Sequence, residues 1–169
     1  LALAGGQGTR LGFSGPKGMY SINLPSNCTL FQMIAERLLA LRNIAAKNSG
    51  SSTDALPSIP FYIMTSPINH EQTIDSFEKH SCFCLPKDDV FIFQQGMLPC
   101  LTDEGKIILE AAGRVAMAPD SNGGIYPSLV NSGAFADMEN RKLKYLHVFS
   151  IDNALTKPAD PIFIGYCMS

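Results

Sequence analysis

The sequence predicts an α/β fold, a mostly parallel mixed sheet with helices on both faces. Three observations carry that reading. Short, continuously apolar runs at residues 60–65 and 89–93 have the composition of strands covered on both sides. Longer segments between them carry apolar residues at helical spacing. The two kinds alternate along the chain, as they do where helices connect parallel strands. With 169 residues, 46% of them apolar and 17% charged, the chain can bury the core of one domain.

Residues 1–4 read as the end of a buried strand, and residues 5–16 as a glycine-rich loop. From Thr29 to Lys47, the residues Leu30, Phe31, Ile34, Ala35, Leu38, Leu41 and Ala45 repeat at helical spacing. Thr29 is placed to cap that helix, and Asn48, Ser49 and Gly50 to end it. Residues 49–58 form a polar loop without periodicity. The strand at 60–65 is followed by an amphipathic helix, with Asn69 and Gln72 spaced as a capping box. After the strand at 89–93, Asp103, Glu104 and Gly105 turn a hairpin between residues 97–101 and 106–109. Residues 118–124 are a second glycine-rich loop from which a helix starts. Residues 143–151 form a last strand ending at Asp152 and Asn153. The apolar stretch 161–168 is expected to enter a sheet or core. Both glycine loops and Asp152 then lie at carboxyl ends of strands, where α/β sheets bind ligands.

A net charge of −2 leaves no general basic surface for a nucleic-acid backbone, so nucleic acid is not an expected partner. The five cysteines (Cys28, Cys82, Cys84, Cys100 and Cys167) are odd in number and contain no C-x-x-C pair. Reduced thiols in a cytoplasmic protein fit that pattern better than a disulfide framework. His80, Cys82 and Cys84 match no usual zinc spacing and read as two half-buried thiols after a helix. No apolar run reaches the ~18–20 residues of a membrane span, so no membrane partner is expected. The sequence has no signal peptide, and it opens on Leu1 instead of Met. The domain is expected to be truncated at both ends.

The first glycine loop reads LAGGQGTRLGFSGPKGMY. Counted from Gly6, a dinucleotide fingerprint requires glycine where Leu11 stands, and a Walker A loop requires Gly-Lys where the chain has Lys17-Gly18. What remains is a phosphate cradle of another kind. Glycines let the backbone approach a ligand with its N–H groups, while Arg10 and Lys17 add fixed positive charge. The plain alternative is a tight strand-to-helix turn with two solvated cations.

LAGGQGTRLG followed by PKGMY resembles the signature of the nucleotide-sugar pyrophosphorylases, which are sugar-1-phosphate nucleotidyltransferases. FQQGMLPC, GKIILE, APDSNGGIY, ADMENRKLKYLHVFSIDN and KPADPIFIGY resemble further blocks of that family, in its order, over nearly the whole chain. The T-R-L-G and P-K-G-M-Y variants are most similar to the eukaryotic UDP-N-acetylglucosamine pyrophosphorylases. The resemblance implies a Rossmann-like nucleotide-diphospho-sugar transferase fold, with residues 1–169 as the central part of a single UTP-binding catalytic domain. It implies that UTP and an N-acetylhexosamine 1-phosphate, N-acetylglucosamine 1-phosphate above all, give UDP-N-acetylglucosamine and pyrophosphate. Mg²⁺ is the implied cofactor, with Mn²⁺ as an alternative. This fragment alone is expected to be inactive.

Residue roles follow from the same resemblance. Leu3, Ala4, Gly5 and Gly6 match positions whose backbone lies against the uridine and phosphates, and Gly8 and Thr9 continue that loop. Arg10 matches a catalytic cation at the β- and γ-phosphates, and Lys17 the catalytic lysine at the α-phosphate. Gln95 matches the uracil reader, with Gly96 beside it allowing close approach of the base; adjacent Gln94 is the plain alternative at the strand end. Ser121 stands in the UTP loop where the family carries glycine, and a position needing positive φ would strain it. Asn122 and Gly123 match contacts to the N-acetyl sugar. Asp152 matches a nucleotide contact and the metal ligand. Asp120 reads as a loop-shaping or supporting residue, and His147 as core. Lys157, Asp160 and Pro161 resemble family residues without an assigned role. A UDP-glucose or broad-specificity UDP-sugar pyrophosphorylase is the alternative within the class. The alternative outside it is a non-catalytic nucleotide-binding module, favoured by Ser121 and opposed by Lys17 and Asp152. Oligomeric state is not legible in the sequence.

Overall fold

The computed structural model describes residues 1–49 and 57–169. Most of the polar loop read at 49–58, and the Gly50 end of the first helix, lie outside the described residues. The strands β1 (Ala2–Leu3), β2 (Phe61–Thr65), β3 (Val90–Gln94) and β8 (Phe149–Ser150) form one parallel sheet in the order β3-β2-β1-β8. Ala2 pairs with Ile63 on one side and Phe149 on the other. β1 is therefore central, and the direction of strand addition reverses at its carboxyl end.

Side chains alternate across this sheet with the period of two that extended backbone imposes. Ala2, Ala4, Phe61 and Ile63 enter one core layer, and Leu1, Tyr62, Met64 and Phe93 the other. The helices α1 (Leu30–Ser49) and α2 (His70–Lys79) cover the first layer with Leu30, Phe31, Ile34, Leu38 and Phe77. On the second, α3 (Ile125–Asn131) and α4 (Ala134–Asn140) supply Leu129, Ala134 and Met138. Helices on both faces are as expected. The Thr29 cap is also present, its Oγ1 accepting from Gln32 N at 3.2 Å.

The Asn69–Gln72 capping box does not form. The Asn69 side chain makes no cap bond and turns toward the glycine loop instead. The long strand read at 143–151 shortens to β8, because its ladder partner β1 offers rungs only to Phe149 and Ser150. Gly105 turns the expected hairpin with φ +78°, but residues 97–101 and 106–109 meet only in one Leu101–Ile107 bridge. The main partner of β4 (Met97–Pro99) is β7 (Met117–Pro119), antiparallel. Between them β5 (Leu109–Ala111) and β6 (Arg114–Val115) make a further hairpin around Gly113. The stretch 161–168 is the helix α5 (Pro161–Met168), capped by Asp160, whose Oδ1 accepts from Ile162 N at 3.0 Å. It lies on the surface instead of entering a core, with Ile162 84% and Tyr166 80% exposed.

Candidate nucleotide site

A cleft of about 410 Å³ opens at the carboxyl end of the sheet. β1 runs into Gly5 and Gly6, β3 into Gln95, and β8 into Ile151 and Asp152, all of which line it. It thus occupies the switch point, where diverging crossovers leave a crevice. The two glycine loops arrive there from different parts of the chain.

Gly5, Gly6 and Leu3 form one wall with Met64. Ala4 is fully buried behind it and donates its N–H to Met64 O. The loop is folded back on itself by Gly8 N to Gly15 O at 2.9 Å and Lys17 N to Gly6 O at 3.1 Å. Close packing decides the glycines here. A Cβ on Gly5 would stand 2.6 Å from Gln95 Nε2, and one on Gly18 would stand 2.2 Å from the buried Phe31 ring. Gly8 is buried against Phe13 instead of lining the cleft, while Thr9 and Arg10 sit on an exposed turn outside it.

Lys17 reaches across the cleft to Asp152, Nζ to Oδ2 at 2.9 Å. The Ser150 hydroxyl donates to the other carboxylate oxygen of Asp152. That bond, then the Lys17 ammonium, holds the Asp152 carboxyl below its ordinary range, against a smaller opposing effect of burial. A cation and an anion are therefore poised face to face at the end of β8.

Gln95 is 7% exposed and lines the cleft, whereas Gln94 is exposed at the end of β3. Adjacent residues on extended backbone point to opposite sides, and the structure puts Gln95 on the cleft side. Gly96 donates its N–H to Ser128 Oγ, and its Cα faces Asp120, whose Oδ2 would stand 2.5 Å from an added Cβ. Asp120 also fills the space a Gly124 side chain would need, at 1.9 Å, and so shapes the second loop. Its buried Oδ1 has no hydrogen-bond partner among the described residues.

Ser121 opens a 3₁₀ turn, Ser121–Gly124, a right-handed conformation open to any residue, so its backbone does not call for glycine. Asn122 lines the cleft; Gly123 is exposed with open space around it and does not. His147 lies away from the cleft and accepts the Ala159 N–H on Nδ1, in keeping with a structural role. Among the described residues no group of three His, Cys, Asp or Glu side chains is placed to hold a metal, and His80, Cys82 and Cys84 form no such site. All five cysteines are free. No described helix is long and apolar enough to cross a membrane.

The family model described as UTP–glucose-1-phosphate uridylyltransferase matches residues 1–169, the whole chain. The chain belongs to that uridylyltransferase family. Among its relatives, "UDP-N-acetylhexosamine pyrophosphorylase-like protein 1" of Xenopus tropicalis is 48% identical over all of this chain and 32% of its own length. "UDP-N-acetylglucosamine diphosphorylase 2" of Arabidopsis thaliana is 47% identical over 98% of this chain and 33% of its own. The crystal structure of the uridine diphosphate N-acetylglucosamine pyrophosphorylase from Trypanosoma brucei, in complex with an inhibitor, is 34% identical. It superposes with a TM-score of 0.91 over 99% of this chain and 34% of that one. The chain spans about a third of the length of the curated relatives it matches. This segment thus shares the fold of that part of the Trypanosoma brucei structure.

Sequence reasoning missed Asn69 and Ser150. Asn69 is fully buried beneath the glycine loop, and Ser150 orients Asp152. The FSIDN run carried a local signal for Ser150, two residues before the acid. For Asn69 the signal was ambiguous, because Asn before a helix reads as a cap.

Proposed function

We propose that residues 1–169 are the central part of one catalytic domain that transfers a uridylyl group from UTP to N-acetylglucosamine 1-phosphate, releasing pyrophosphate. The observation that carries this reading is the convergence of Gly5, Gly6, Lys17, Gln95, Asn122 and Asp152 on one cleft at the switch point. The similarity to N-acetylhexosamine pyrophosphorylases supports the choice of sugar.

A sugar phosphate oxygen attacks the α-phosphorus of UTP, and the bond to the pyrophosphate leaving group breaks. Catalysis of such a transfer is positioning plus stabilisation of charge. Gly5 and Gly6 let the triphosphate approach the backbone, and the Lys17 ammonium stabilises the negative charge that gathers on the α-phosphoryl oxygens. Arg10, on its exposed turn, neutralises the outer phosphates. The Gln95 carboxamide donates to a uracil carbonyl and accepts from N3–H. Asn122 meets the sugar side.

A single ionised carboxylate at the cleft fits Mg²⁺ held mainly by substrate phosphates, since Mg²⁺ is commonly bound by one or two carboxylates and keeps phosphate and water ligands. Asp152 is the residue that would hold it, and the ion would supply further neutralisation of phosphate charge. Lys17 must part from Asp152 when phosphates enter, which leaves its ammonium free to meet them. A cytoplasmic setting fits the free thiols.

The test is pyrophosphate release by the full-length protein with UTP, Mg²⁺ and each of N-acetylglucosamine, N-acetylgalactosamine and glucose 1-phosphates. Fastest turnover with N-acetylglucosamine 1-phosphate is expected. Preference for glucose 1-phosphate would move the protein to the UDP-glucose branch, and UTP binding without release would make it a binding module.

A further inference from the structure

Glycine-rich backbone does not set its own direction. Glycine populates both signs of φ, so the peptide planes between Ala4 and Gln7 need outside restraint to hold one arrangement of N–H groups. Backbone bonds fold the loop, among them Lys17 N to Gly6 O, which shares the Gly6 carbonyl with Asn69, but across residues 4–18 a single side chain among those described hydrogen-bonds the backbone. It is Asn69, fully buried, from the junction between β2 and α2. Its Nδ2 donates to Ala4 O at 2.9 Å and to Gly6 O at 3.3 Å. Its Oδ1 accepts from Ser66 N at 2.9 Å and Ser66 Oγ at 3.1 Å. Both donors and both lone pairs of the carboxamide are used, and it has no freedom to turn.

A trans peptide points its carbonyl and the following N–H in opposite directions. With Ala4 O and Gly6 O drawn toward Asn69, the N–H groups of Gly5 and Gln7 are aimed away from it. Gly5 and Gly6 line the cleft, and Asn69 does not. The N–H groups of Gly5, Gly6 and Gln7 take no partner among the described residues, so they are available as donors.

We propose that Asn69 is a positioning residue of the nucleotide site, fixing the peptide planes of the glycine loop from beneath so that the loop N–H groups face the phosphates. The assignment rests on the reading of the cleft as a UTP site. It differs from a helix-capping role, because the carboxamide makes no bond to the first turn of α2. It also differs from general support of the fold, because the two donated bonds end on the loop.

The test uses the full-length protein, with UTP and Mg²⁺ as the probe, titrated calorimetrically, and urea unfolding in parallel. Asn69→Ala removes all four bonds; Asn69→Asp keeps the acceptor side and loses the donors to Ala4 and Gly6. Ser66→Ala removes one bond on the acceptor side only, and Thr73→Val removes the buried Thr73 Oγ1 bond to Asn69 O at 2.8 Å without touching the loop. Expected is a rise in the UTP dissociation constant of about tenfold or more for both Asn69 variants. Ser66→Ala and Thr73→Val should stay within about twofold of wild type, even where they lower the urea midpoint as far. A folded Asn69→Ala protein that binds UTP like wild type would overturn the proposal. So would equal loss of UTP binding in Thr73→Val, which would make Asn69 a general stability residue. If Asn69→Ala does not fold, Asn69→Ser is read against the same controls; failure of both to fold would assign Asn69 to folding alone and also overturn the proposal. A wild-type protein that does not bind UTP sinks the nucleotide reading itself, and the role of Asn69 falls with it.

Discussion

Lys17 is the residue on which the proposed transfer most depends. Its backbone is fixed by the bond from Lys17 N to Gly6 O, and its ammonium stands 2.9 Å from Asp152. A charge that acts chiefly in the transition state lowers kcat when removed. Lys17→Ala in the full-length protein is expected to lower kcat by roughly 10²–10³ while changing UTP binding far less, as stopped-assay kinetics and titration would read. An unchanged kcat would take Lys17 out of the reaction. Asp152 has its own signature. Its folded pKa lies below the free value of 3.8, so whatever stability its ionised form contributes is present above that value and is lost as pH falls through the folded value. The Asp152 carboxylate facing Lys17 therefore stays ionised at neutral pH. A ¹³C titration of the Asp152 carboxyl should place its midpoint below 3.8 in wild type and move it upward in Lys17→Ala. No movement would mean that Lys17 contributes nothing to the depression.

At the scale of elements, one turn holds positive φ over four consecutive non-glycine residues. Ser81, Cys82, Phe83 and Cys84 have φ of 48°, 53°, 51° and 65° in succession, a left-handed turn of non-glycine residues. Each such residue costs about 1–2 kcal/mol against the right-handed form. Packing holds the turn in place: Phe83 is buried, meets Phe77 edge-on at 5.1 Å and stacks on His80 at 5.0 Å. Cys84 is exposed and contributes no such packing, so Cys84→Gly is expected to raise stability by about 0.5–1 kcal/mol in urea unfolding. A loss of stability would show that the Cys84 side chain matters more than its backbone strain. The turn also marks where sequence reading stops. The buried strands were legible as short continuous apolar runs, and α1 because its apolar residues follow a period of 3.6. The left-handed turn was not, since nothing in Ser-Cys-Phe-Cys favours positive φ. The β4–β7 pairing was missed because a nearer glycine turn suggested a closer partner. Asn69 was read as a cap because the loop carbonyls it donates to lie 63 and 65 residues away. Lys17 and Asp152 were legible as a cation in a glycine loop and an acid at a strand end, whereas Gln95 came from resemblance to a family, which periodicity alone does not supply.

Over the whole molecule, the polar cleft and the apolar surfaces divide the work. The α5 helix and a second cavity of about 510 Å³, bordered by Leu38, Leu41, Phe61, Leu143 and Met168, present broad apolar surface. The relatives are about three times as long as this chain. Residues 1–169 produced alone are therefore expected to bind an apolar dye strongly and to release no pyrophosphate, whereas the full-length protein binds little dye and turns over; steady turnover by the segment would contradict this. The claim that organises the molecule is that the nucleotide sits at the carboxyl end of the sheet, between the two glycine loops. Hydrogen–deuterium exchange of the full-length protein with and without UTP and Mg²⁺ measures it directly. Slowed exchange is expected at residues 4–8, 95–96, 120–124 and 151–153, with no change around α5. UTP-dependent protection confined to other parts of the chain, with these four stretches exchanging as in the free protein, would contradict it.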